Sequence, residues 1–428
     1  MTPLEKAKTS KTFCILPWVH QYVGPPGDVK PCCMYEQNMQ IGDLKQNTLK
    51  EIWNNDDTKQ MRLDMLNGVE LAGCAKCNSR TNLTVTPKDQ FNKSLFNNHY
   101  FQNEDLVDST EEDGGLSEHK LQYIDARFNN LCNLKCRTCG PRFSTSWIED
   151  HVKLYNVPKE DRAMHSDIFQ FPGSVEHQLL DEIIPQLPHV RQIYFAGGEP
   201  LMQKEHYAVL EELIRLGKNT RPDFNLHYNT NFSILNLGKK DAIELWKQFK
   251  RLRVNASIDG SHARAEYWRK GTVWSQLVSN VQRFRTEVPQ GEFCISYTLS
   301  WVSAFNLPEL HREWVDLKLI SVNNVHVNLL DVPSYYSLKS IPNWKKEKIK
   351  VKFEEHIQWM IDRKATEHAV NGFKNAITFM LSVDHGDSFA DGKAFNELNG
   401  RIDQLREEDF WATYPEHADM QIFIDATQ

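Results

Sequence analysis

The stretch of sequence that decides the fold is residues 129–139, which read Asn129-Asn130-Leu131-Cys132-Asn133-Leu134-Lys135-Cys136-Arg137-Thr138-Cys139. Three thiolates on one loop can bind three irons of a [4Fe–4S] cubane and leave the fourth iron without a protein ligand. A reactive cluster needs such an open iron, because a substrate or cofactor must bind there. A zinc site is the alternative, but zinc takes four ligands, commonly as cysteine pairs from two loops. The spacing of Cys132, Cys136 and Cys139 therefore favours a cluster.

Strand and helix patterns alternate along the chain, and the cysteine loop directly follows the first strand. Six segments have strand character: 121–128, 190–198, 224–231, 252–260, 292–300 and 323–330. Helix-length amphipathic stretches such as 205–216 and 273–284 lie between them. Such alternation predicts parallel strands joined by helical crossovers. Six units predict an α/β fold with a partial (β/α)6 barrel over residues 119–335.

Four of these strands, from 224–231 onward, are apolar on one face and polar on the other. Strand 292–300, for example, alternates apolar residues with Cys294, Ser296, Thr298 and Ser300. A barrel strand turns one face to its helices and the other to the lumen, and the helix-facing side must be apolar. The lumen is therefore predicted to be polar, which suits a cavity for a hydrophilic ligand. A sheet with one solvated face is the alternative.

Two regions of different character flank the predicted barrel. Residues 1–118 carry five cysteines, show little strand periodicity beside one short helix over 49–66, and end in a polar stretch, 103–118, that predicts a linker. Residues 336–428 predict helices, because apolar side chains recur there at helix spacing. We expect packing faces and no chemistry in this helical C-terminal region.

Composition limits the classes of protein to consider. The 428-residue chain has a formal net charge of −7, which argues against a protein that coats nucleic acid but does not exclude a local basic channel. No segment approaches the about 18 apolar residues of a membrane span, and residues 1–12 lack the features of a signal peptide. We therefore expect a cytoplasmic protein with no membrane partner. Nine cysteines, an odd number, predict no disulfide framework there.

The cysteine loop and a second motif together resemble a known family. Gly197-Gly198-Glu199-Pro200 ends the second predicted strand, and with the loop it is similar to the radical S-adenosylmethionine (SAM) superfamily. The resemblance implies that the loop holds the cluster and that the Gly-Gly-Glu-Pro turn contacts the methionine amino group of SAM. Physically, a glycine pair lets backbone approach a ligand closely, and Glu199 can pair with an ammonium group.

Further positions match the cofactor-binding residues of that family. Asn231 ends the third predicted strand, Ser257 and Asp259 end the fourth, and Arg269 follows ten residues after Asp259. The resemblance implies that they contact the ribose and carboxylate of SAM from the C-terminal edge of the barrel, where ligands of parallel sheets bind. Thr138 departs from the family, which usually has an aromatic residue there. The departure concerns the packing under the adenine and not the cluster.

Residues 10–80 resemble the auxiliary-cluster module of enzymes with SPASM or twitch domains. The resemblance rests on Cys14, on Gly27 shortly before Cys32, and on the closing pair Cys74 and Cys77. In those enzymes the module follows the barrel, whereas here it precedes it. The resemblance implies one auxiliary [4Fe–4S] cluster on four ligands, Cys14, Cys32, Cys74 and Cys77. Cys33 is the alternative to Cys32 as a ligand. Structural zinc is the alternative, since four thiolates suit it.

The resemblance implies an enzyme whose reduced cluster cleaves SAM to methionine and a 5′-deoxyadenosyl radical, which takes hydrogen from a substrate in the lumen. A flavodoxin- or ferredoxin-type protein would be the reductant. Three functions stay open at this point. The substrate is a peptide that is cross-linked, epimerised or oxidised, which is our preferred prediction; or it is a small metabolite, sugar or nucleotide; or the protein is a non-enzymatic zinc or iron–sulfur interaction protein.

Cys294 is a further catalytic candidate. Its thiol lies on the polar face of its predicted strand, and a thiol can give a hydrogen atom to a substrate radical. The position is early in the strand, about six residues or ~20 Å from the edge where the cofactor is expected. A small buried hydrophobe is the alternative, since a cysteine outside disulfides is among the most buried residue types.

Overall fold

The computed structural model describes residues 1–78, 97, 103–158 and 175–427. Parts of the predicted N-terminal region, 79–96 and 98–102, and of the predicted barrel, 159–174, lie outside the described residues. The chain forms two compact units. Unit 1 comprises Met1–Asn130, Gln170–His227 and Leu237–Leu252, and unit 2 comprises Leu131–Phe169, Tyr228–Asn236 and Arg253–Gln428. The predicted domain boundaries after residues 118 and 335 rest on sequence character and stay predictions.

The strands are numbered along the chain. They are β1 (His20–Val23), β2 (Asp28–Lys30), β3 (Gly42–Asp43), β4 (Tyr123–Ala126), β5 (Lys135–Cys136), β6 (Gln192–Phe195), β7 (Asn225–Thr230), β8 (Asn236–Leu237), β9 (Lys240–Asp241), β10 (Leu252–Ser257), β11 (Arg269–Lys270), β12 (Glu292–Leu299) and β13 (Val325–Leu329). Each of the six predicted strands is present, as β4, β6, β7, β10, β12 and β13. The chain passes between the units within β7 and at the start of β10.

Unit 1 is built on a sheet in which β3, β2, β1, β4 and β6 are successive neighbours. The pairs β3–β2 and β2–β1 are antiparallel, whereas β1–β4 and β4–β6 are parallel. The register places Tyr22 beside Asp125, and Asp125 beside Tyr194. The N-terminal region thus contributes a strand to the parallel sheet. The sequence did not predict β1, because its four residues are all buried and show no polar alternation.

The helices of unit 1 cover the sheet and fill the N-terminal region. Those of four residues or more, as described, are Pro3–Thr9, Leu16–Val19, Leu49–Trp53, Asp56–Leu66, Ala75–Asn78, Glu104–Asp108, Glu176–Ile183, Lys204–Arg215 and Ala242–Trp246. The predicted helix over 49–66 is two helices, each with its own N-cap, Thr48 and Asn55. The predicted linker contains helix Glu104–Asp108 and packs into the core, where Val107 is buried and the Thr110 hydroxyl accepts a hydrogen bond from the Trp18 indole.

Unit 2 contains the parallel neighbours β10, β12 and β13. Their registers place Asn255 beside Cys294, and Ser296 beside His326. In β12 the apolar residues Phe293, Ile295, Tyr297 and Leu299 are buried, and so is Cys294. The crossover helices include Trp274–Glu287 and Asn306–Asp316. The largely parallel sheet with helical crossovers confirms the predicted α/β class.

The helical C-terminal region also lies in unit 2 and is confirmed. Its helices of four residues or more are Asn343–Asp362, Glu367–Leu381, Gly392–Arg406, Phe410–Thr413 and Ala418–Thr427. Their apolar stripes are core: Phe353, Phe373 and Phe395 are buried, and each such side chain stabilises the fold by about 1.5–3 kcal/mol relative to exposure. In the part of the chain that the structure describes, no helix combines the length and apolar character needed to cross a membrane.

Candidate active site

The cysteine loop, residues 132–139, begins unit 2 and has a shape fixed by the segment that follows it. Its carbonyl groups accept three side-chain hydrogen bonds: Ser146 to Cys132 (2.6 Å), Ser144 to Leu134 (2.6 Å) and Trp147 Nε1 to Cys136 (2.8 Å). Cys132 and Cys136 are buried and Cys139 is exposed. Because side chains satisfy its polar backbone, the loop can stay buried with little regular structure.

A second segment of unit 2, residues 268–271, holds the loop from another side. The pair β5–β11 places Arg269 opposite Cys136, and the Arg137 amide donates to the Trp268 carbonyl at 2.9 Å. Gly271 has φ +104°, and a Cβ there would lie 2.9 Å from the Asn133 carbonyl oxygen. Only glycine allows this approach without strain. The predicted cofactor residue Arg269 is therefore fixed against the loop by backbone pairing.

Arg269 joins the loop to Asp259. Its Nη1 donates to the Cys136 sulfur at 3.6 Å, and its Nη2 lies 2.7 Å from Asp259 Oδ2. Asp259 is fully buried, and its Oδ1 accepts the Thr298 amide at 2.6 Å. Burial opposes the charge of Arg269, but Asp259 and the thiols of Cys136 and Cys139 raise its pKa above the usual range. A permanent cation therefore faces a sulfur that must be a thiolate to bind iron.

Asn231 approaches the loop at its first cysteine. Its Nδ2 lies 2.9 Å from Asn133 Oδ1 and 3.9 Å from the Cys132 sulfur, and its Oδ1 accepts the Ser233 hydroxyl at 2.6 Å. The structure thus brings Asn231, Asp259 and Arg269 to the cysteine loop. Ser257, at the end of β10, lies two residues before Asp259.

The thiols themselves are electrostatically coupled. Burial raises the pKa of Cys136. Cys139 is exposed, yet desolvation by the surrounding protein and the thiol of Cys136 raise the pKa of Cys139 to about 12. Within the described ranges, no three His, Cys, Asp or Glu side chains converge closely enough to hold one metal ion. The chemistry of the loop, three thiols within eight residues, fits three irons of a cluster.

The Gly-Gly-Glu-Pro turn lies in unit 1, directly after β6. Gly197 has φ +115°, and a Cβ there would lie 3.2 Å from the Asn129 carbonyl oxygen. The Gly198 amide lies 3.3 Å from the same oxygen. The side chain of Glu199 is buried and accepts the Leu201 amide at 3.1 Å, which begins the 3-10 turn Pro200–Met202. The turn is thus built around close backbone approach.

The cysteines of residues 14–78, here called the cysteine module, all lie in unit 1. Burial raises the pKa of Cys32, and the thiols of Cys33, Cys14 and Cys74 raise it further. Cys33 is exposed, yet desolvation by the surrounding protein raises the pKa of its thiol to about 11. The charged groups acting on that thiol are Arg127 and Asp125, and Asp125 is also its hydrogen-bond partner. Cys32 is therefore close to the thiols of Cys14 and Cys74, whereas the side-chain partner of Cys33 is Asp125 of β4. Across the described residues, which include every cysteine, no disulfide forms.

Sequence reasoning missed a charged and aromatic row on β1, β4, β6 and β7 of unit 1. Arg127 pairs with both oxygens of Asp125 at 2.8 and 3.0 Å, and its guanidinium lies 5.0 Å from the centre of the Tyr22 ring. Tyr194 packs against His227 with ring centres 5.2 Å apart. The signal was present, since Asp125 and Arg127 alternate with apolar residues in segment 121–128.

The polar faces predicted for the later strands are present in unit 2. Asn255 donates to Asn229 at 3.1 Å, and Asn328 donates to Ser296 at 3.0 Å. These neutral amides and hydroxyls form hydrogen-bonded pairs along β7, β10, β12 and β13.

Cys294 lies at the beginning of β12 and is buried within polar contacts. Its sulfur lies 3.3 Å from Asn324 Nδ2 and 3.8 Å from Arg253 Nη2, and its thiol donates to Glu292 at 3.5 Å. Burial raises its pKa to about 11. The thiol is therefore protonated near neutral pH, as hydrogen-atom donation would need.

Comparison with known proteins gives two family matches. The model of an iron–sulfur cluster-binding domain, SPASM, matches residues 14–78, and the model of the radical SAM superfamily matches residues 127–299. The first match covers the cysteine module. The second begins just before the cysteine loop and ends with β12.

Curated relatives match over a short part of their length. The GTP 3′,8-cyclase of Sulfurimonas denitrificans is 27% identical over 139 residues, which is 32% of this chain and 35% of that protein. The enzyme of the same name from Aliarcobacter butzleri is 27% identical over 140 residues, 33% of this chain and 35% of that protein. The chain thus spans about a third of the length of these relatives.

Solved structures show a distant likeness. One is anSMEcpe with bound AdoMet, with a TM-score of 0.40, 15% identity, and coverage of 58% of this chain and 63% of that chain. Another is Streptococcus suis SuiB bound to SAM, with a TM-score of 0.36, 16% identity, and coverage of 68% and 58%. Both TM-scores are too low to bear on function.

The family matches confirm the predicted cofactors and domain order. A radical SAM domain implies a [4Fe–4S] cluster and SAM, and a SPASM domain implies auxiliary iron–sulfur binding. The SPASM match precedes the radical SAM match, as the sequence predicted. Residues 127–299 are a radical SAM domain, and a SPASM iron–sulfur cluster-binding domain over residues 14–78 precedes it in the chain.

Proposed function

We propose that this protein cleaves SAM reductively and takes a hydrogen atom from a peptide. The observation that carries the proposal is the contact of Cys136 with Arg269, which Asp259 orients from the end of β10. When bound, a cluster on the cysteine loop and SAM together supply a 5′-deoxyadenosyl radical. A flavodoxin- or ferredoxin-type protein of the cytoplasm would provide the electron.

The residues of the loop region have distinct roles in this proposal. Cys132, Cys136 and Cys139 bind three irons as thiolates, and Arg269 stabilises the Cys136 thiolate by its positive charge. Asp259 orients Arg269 and neutralises it in a buried setting. Asn231 and Ser257 offer hydrogen bonds to the cofactor.

The turn after β6 has its own proposed role toward the cofactor. Gly197 and Gly198 lack side chains that would block a ligand. The carboxylate of Glu199 pairs with the ammonium group of methionine, and Pro200 fixes the turn that places it. Among these residues, Glu199 carries a negative charge, opposite to the positive charge of the ammonium group that it is proposed to pair with.

The cysteine module is proposed to hold one auxiliary [4Fe–4S] cluster on Cys14, Cys32, Cys74 and Cys77. The electrostatic effect of Cys14 and Cys74 on Cys32 supports Cys32 as a ligand beside them. The contact of Cys33 with Asp125 supports Cys32 over Cys33 as the ligand.

The polar strand faces of unit 2 support a peptide substrate. Asn229, Asn255, Ser296 and Asn328 are neutral donors and acceptors, which suit the amide groups of a peptide backbone. A nucleoside triphosphate would favour several Lys or Arg side chains around its phosphates. A nucleotide is the second candidate, because the curated relatives are GTP 3′,8-cyclases.

Deuterium transfer distinguishes these substrates. The anaerobically reconstituted chain is incubated with SAM, dithionite and either deuterated GTP or deuterated synthetic peptides, including any short precursor peptide encoded beside the gene. We expect peptide to increase 5′-deoxyadenosine release and to transfer deuterium into it. Transfer from GTP alone would show a nucleotide enzyme. A cluster-loaded protein that releases no 5′-deoxyadenosine would instead be a non-enzymatic metal-binding protein.

A further inference from the structure

Arg137 lies within the cysteine loop, between two proposed ligands, and its side chain is fully buried. Its guanidinium contacts three residues of the helical C-terminal region: Asn399 at 2.8 Å, Asp403 at 2.5 Å and Glu408 at 2.6 Å. It also lies 3.7 Å from the centre of the Tyr267 ring. A buried guanidinium needs such partners, because an unpaired charge in the interior is costly.

The three acceptors, here called the tail clamp, are themselves held in place. Asp403 accepts the Tyr267 hydroxyl at 2.7 Å and the Phe410 amide at 3.1 Å. Glu408 pairs with Lys270 at 2.9 Å. Tyr267 and Lys270 lie close on either side of Arg269, which contacts Cys136. The tail clamp therefore fixes both the loop and the segment that pairs with it.

A second attachment lies on the other side of Cys136. Lys135 pairs with Asp150 at 2.8 Å, and Asp150 also binds Arg406 at 2.9 Å. Arg406, the last residue of helix Gly392–Arg406, lies 4.5 Å from the centre of the Trp147 ring. Trp147 donates to the Cys136 carbonyl. Both neighbours of Cys136 are thus tied to the same C-terminal helix or to its partner.

From these contacts we propose that Arg137 and the tail clamp are positioning residues of the radical SAM centre: they set the placement of Cys136, Cys139 and Arg269, and their buried charges tune the cluster. The inference rests on the proposed function, since it assumes a cluster on the cysteine loop. Stability alone does not require buried charges at these positions, because apolar side chains of similar volume often replace buried ion pairs without loss of stability. Outer groups that orient metal ligands typically contribute about 10–100-fold to affinity or activity.

The test compares Asp403→Asn, Arg137→Met and Arg137→Lys with wild type in the full reconstituted chain. Asp403→Asn keeps an acceptor for Tyr267 but removes a buried negative charge. We expect SAM cleavage to fall by about 10-fold or more, the EPR spectrum of the reduced cluster to change, and its midpoint potential to become more positive. Arg137→Lys should recover part of what Arg137→Met loses, since it keeps the charge.

Two controls separate positioning from stability. Glu397→Gln changes an exposed carboxylate on the same helix. Lys345→Met removes a buried cation that pairs with the partly exposed Asp419 elsewhere in unit 2. We expect Lys345→Met to lower Tm but to leave the spectrum and potential unchanged. If Asp403→Asn and Arg137→Met also lower only Tm, the tail clamp is a structural feature and the inference is wrong. If Arg137→Met does not fold, Glu408→Gln takes its place in the comparison of spectrum, potential and Tm.

Failure of this inference differs from failure of the proposed function. A triple Cys132→Ala, Cys136→Ala, Cys139→Ala variant that still cleaves SAM would overturn the proposed function. The other outcome is that the triple variant loses SAM cleavage while the tail-clamp variants keep the wild-type spectrum and potential. That outcome would overturn this inference alone.

Discussion

The cysteine loop of unit 2 and the cysteine module of unit 1 hold their thiols in opposite ways. The loop has three cysteines within eight residues, and side-chain hydrogen bonds, a two-residue strand pair and Arg269 fix its shape. The module draws its cysteines from positions 14 to 77, and the fold brings Cys14, Cys32 and Cys74 close together. A local site can be identified from spacing, whereas a dispersed one needs the packing. The loop also has a permanent cation against one sulfur, while the cation near the module, Arg127, acts on Cys33 instead.

The largest effect should come from removing the loop thiols. The triple variant Cys132→Ala, Cys136→Ala, Cys139→Ala should fall from about eight irons per chain to about four and lose SAM cleavage, because the two sites have separate ligands. Iron analysis and 5′-deoxyadenosine release measure this. Loss of all iron would show that the module depends on the loop and would break the comparison.

Removing the cation of the loop should have the next largest effect. Arg269→Met should slow SAM cleavage by about 10–100-fold, because Cys136 loses its charged neighbour and Asp259 is left buried without one. Arg264→Met is the matched control, since Arg264 pairs with Glu416 in the same unit. Equal rates in the two variants would show that the charge at Cys136 has no catalytic role.

The two adjacent module cysteines should differ in effect. Cys32→Ser should empty the auxiliary site and remove about four irons, whereas Cys33→Ser should keep them, because its thiol interacts with Asp125. Iron content and Mössbauer spectra of both variants give the answer. Bound zinc with no second cluster signal in wild type would favour a structural zinc site.

Backbone fit at the loop should show as a smaller change in stability. Gly271→Ala places a Cβ against the Asn133 carbonyl at φ +104°, and we expect it to lower the free energy of unfolding of the apoprotein by about 1–3 kcal/mol. Gly217→Ala, at φ +70° with open space around it, should cost about 1 kcal/mol. Denaturant unfolding compares the two. Equal losses would mean that the loop yields to the added methyl group.

The smallest effect on the clusters should come from Cys294→Ala. If Cys294 donates a hydrogen atom, this variant keeps both clusters and SAM cleavage but loses product with an added hydrogen. Its contacts with Asn324 and Glu292 at the beginning of β12 favour a structural role and an unchanged product. Mass spectrometry of the product decides, and an unchanged product would leave Cys294 with a structural role.

The parts of this structure that follow a local pattern could be predicted from sequence. Strands β6, β7 and β10 have alternating burial, the C-terminal helices have apolar side chains at helix spacing, and the cysteine loop has ligand spacing. Strand β1 could not be predicted, because its burial comes from pairing with β4 and not from alternation. The tail clamp left no signal either, since Arg137 meets Asp403 and Glu408 across 266 and 271 residues. The pair of Asp125 and Arg127 could have been noticed, because the two residues alternate with apolar residues in segment 121–128.

Strand β1 has a consequence for how this protein can be taken apart. Because β1 pairs with β4 along its length, a chain that begins after residue 78 would expose the backbone edge of β4 to solvent. Exposed edges of this kind pair with other chains and aggregate. The cysteine module is therefore part of the same sheet as β4 and cannot be removed without uncovering that strand.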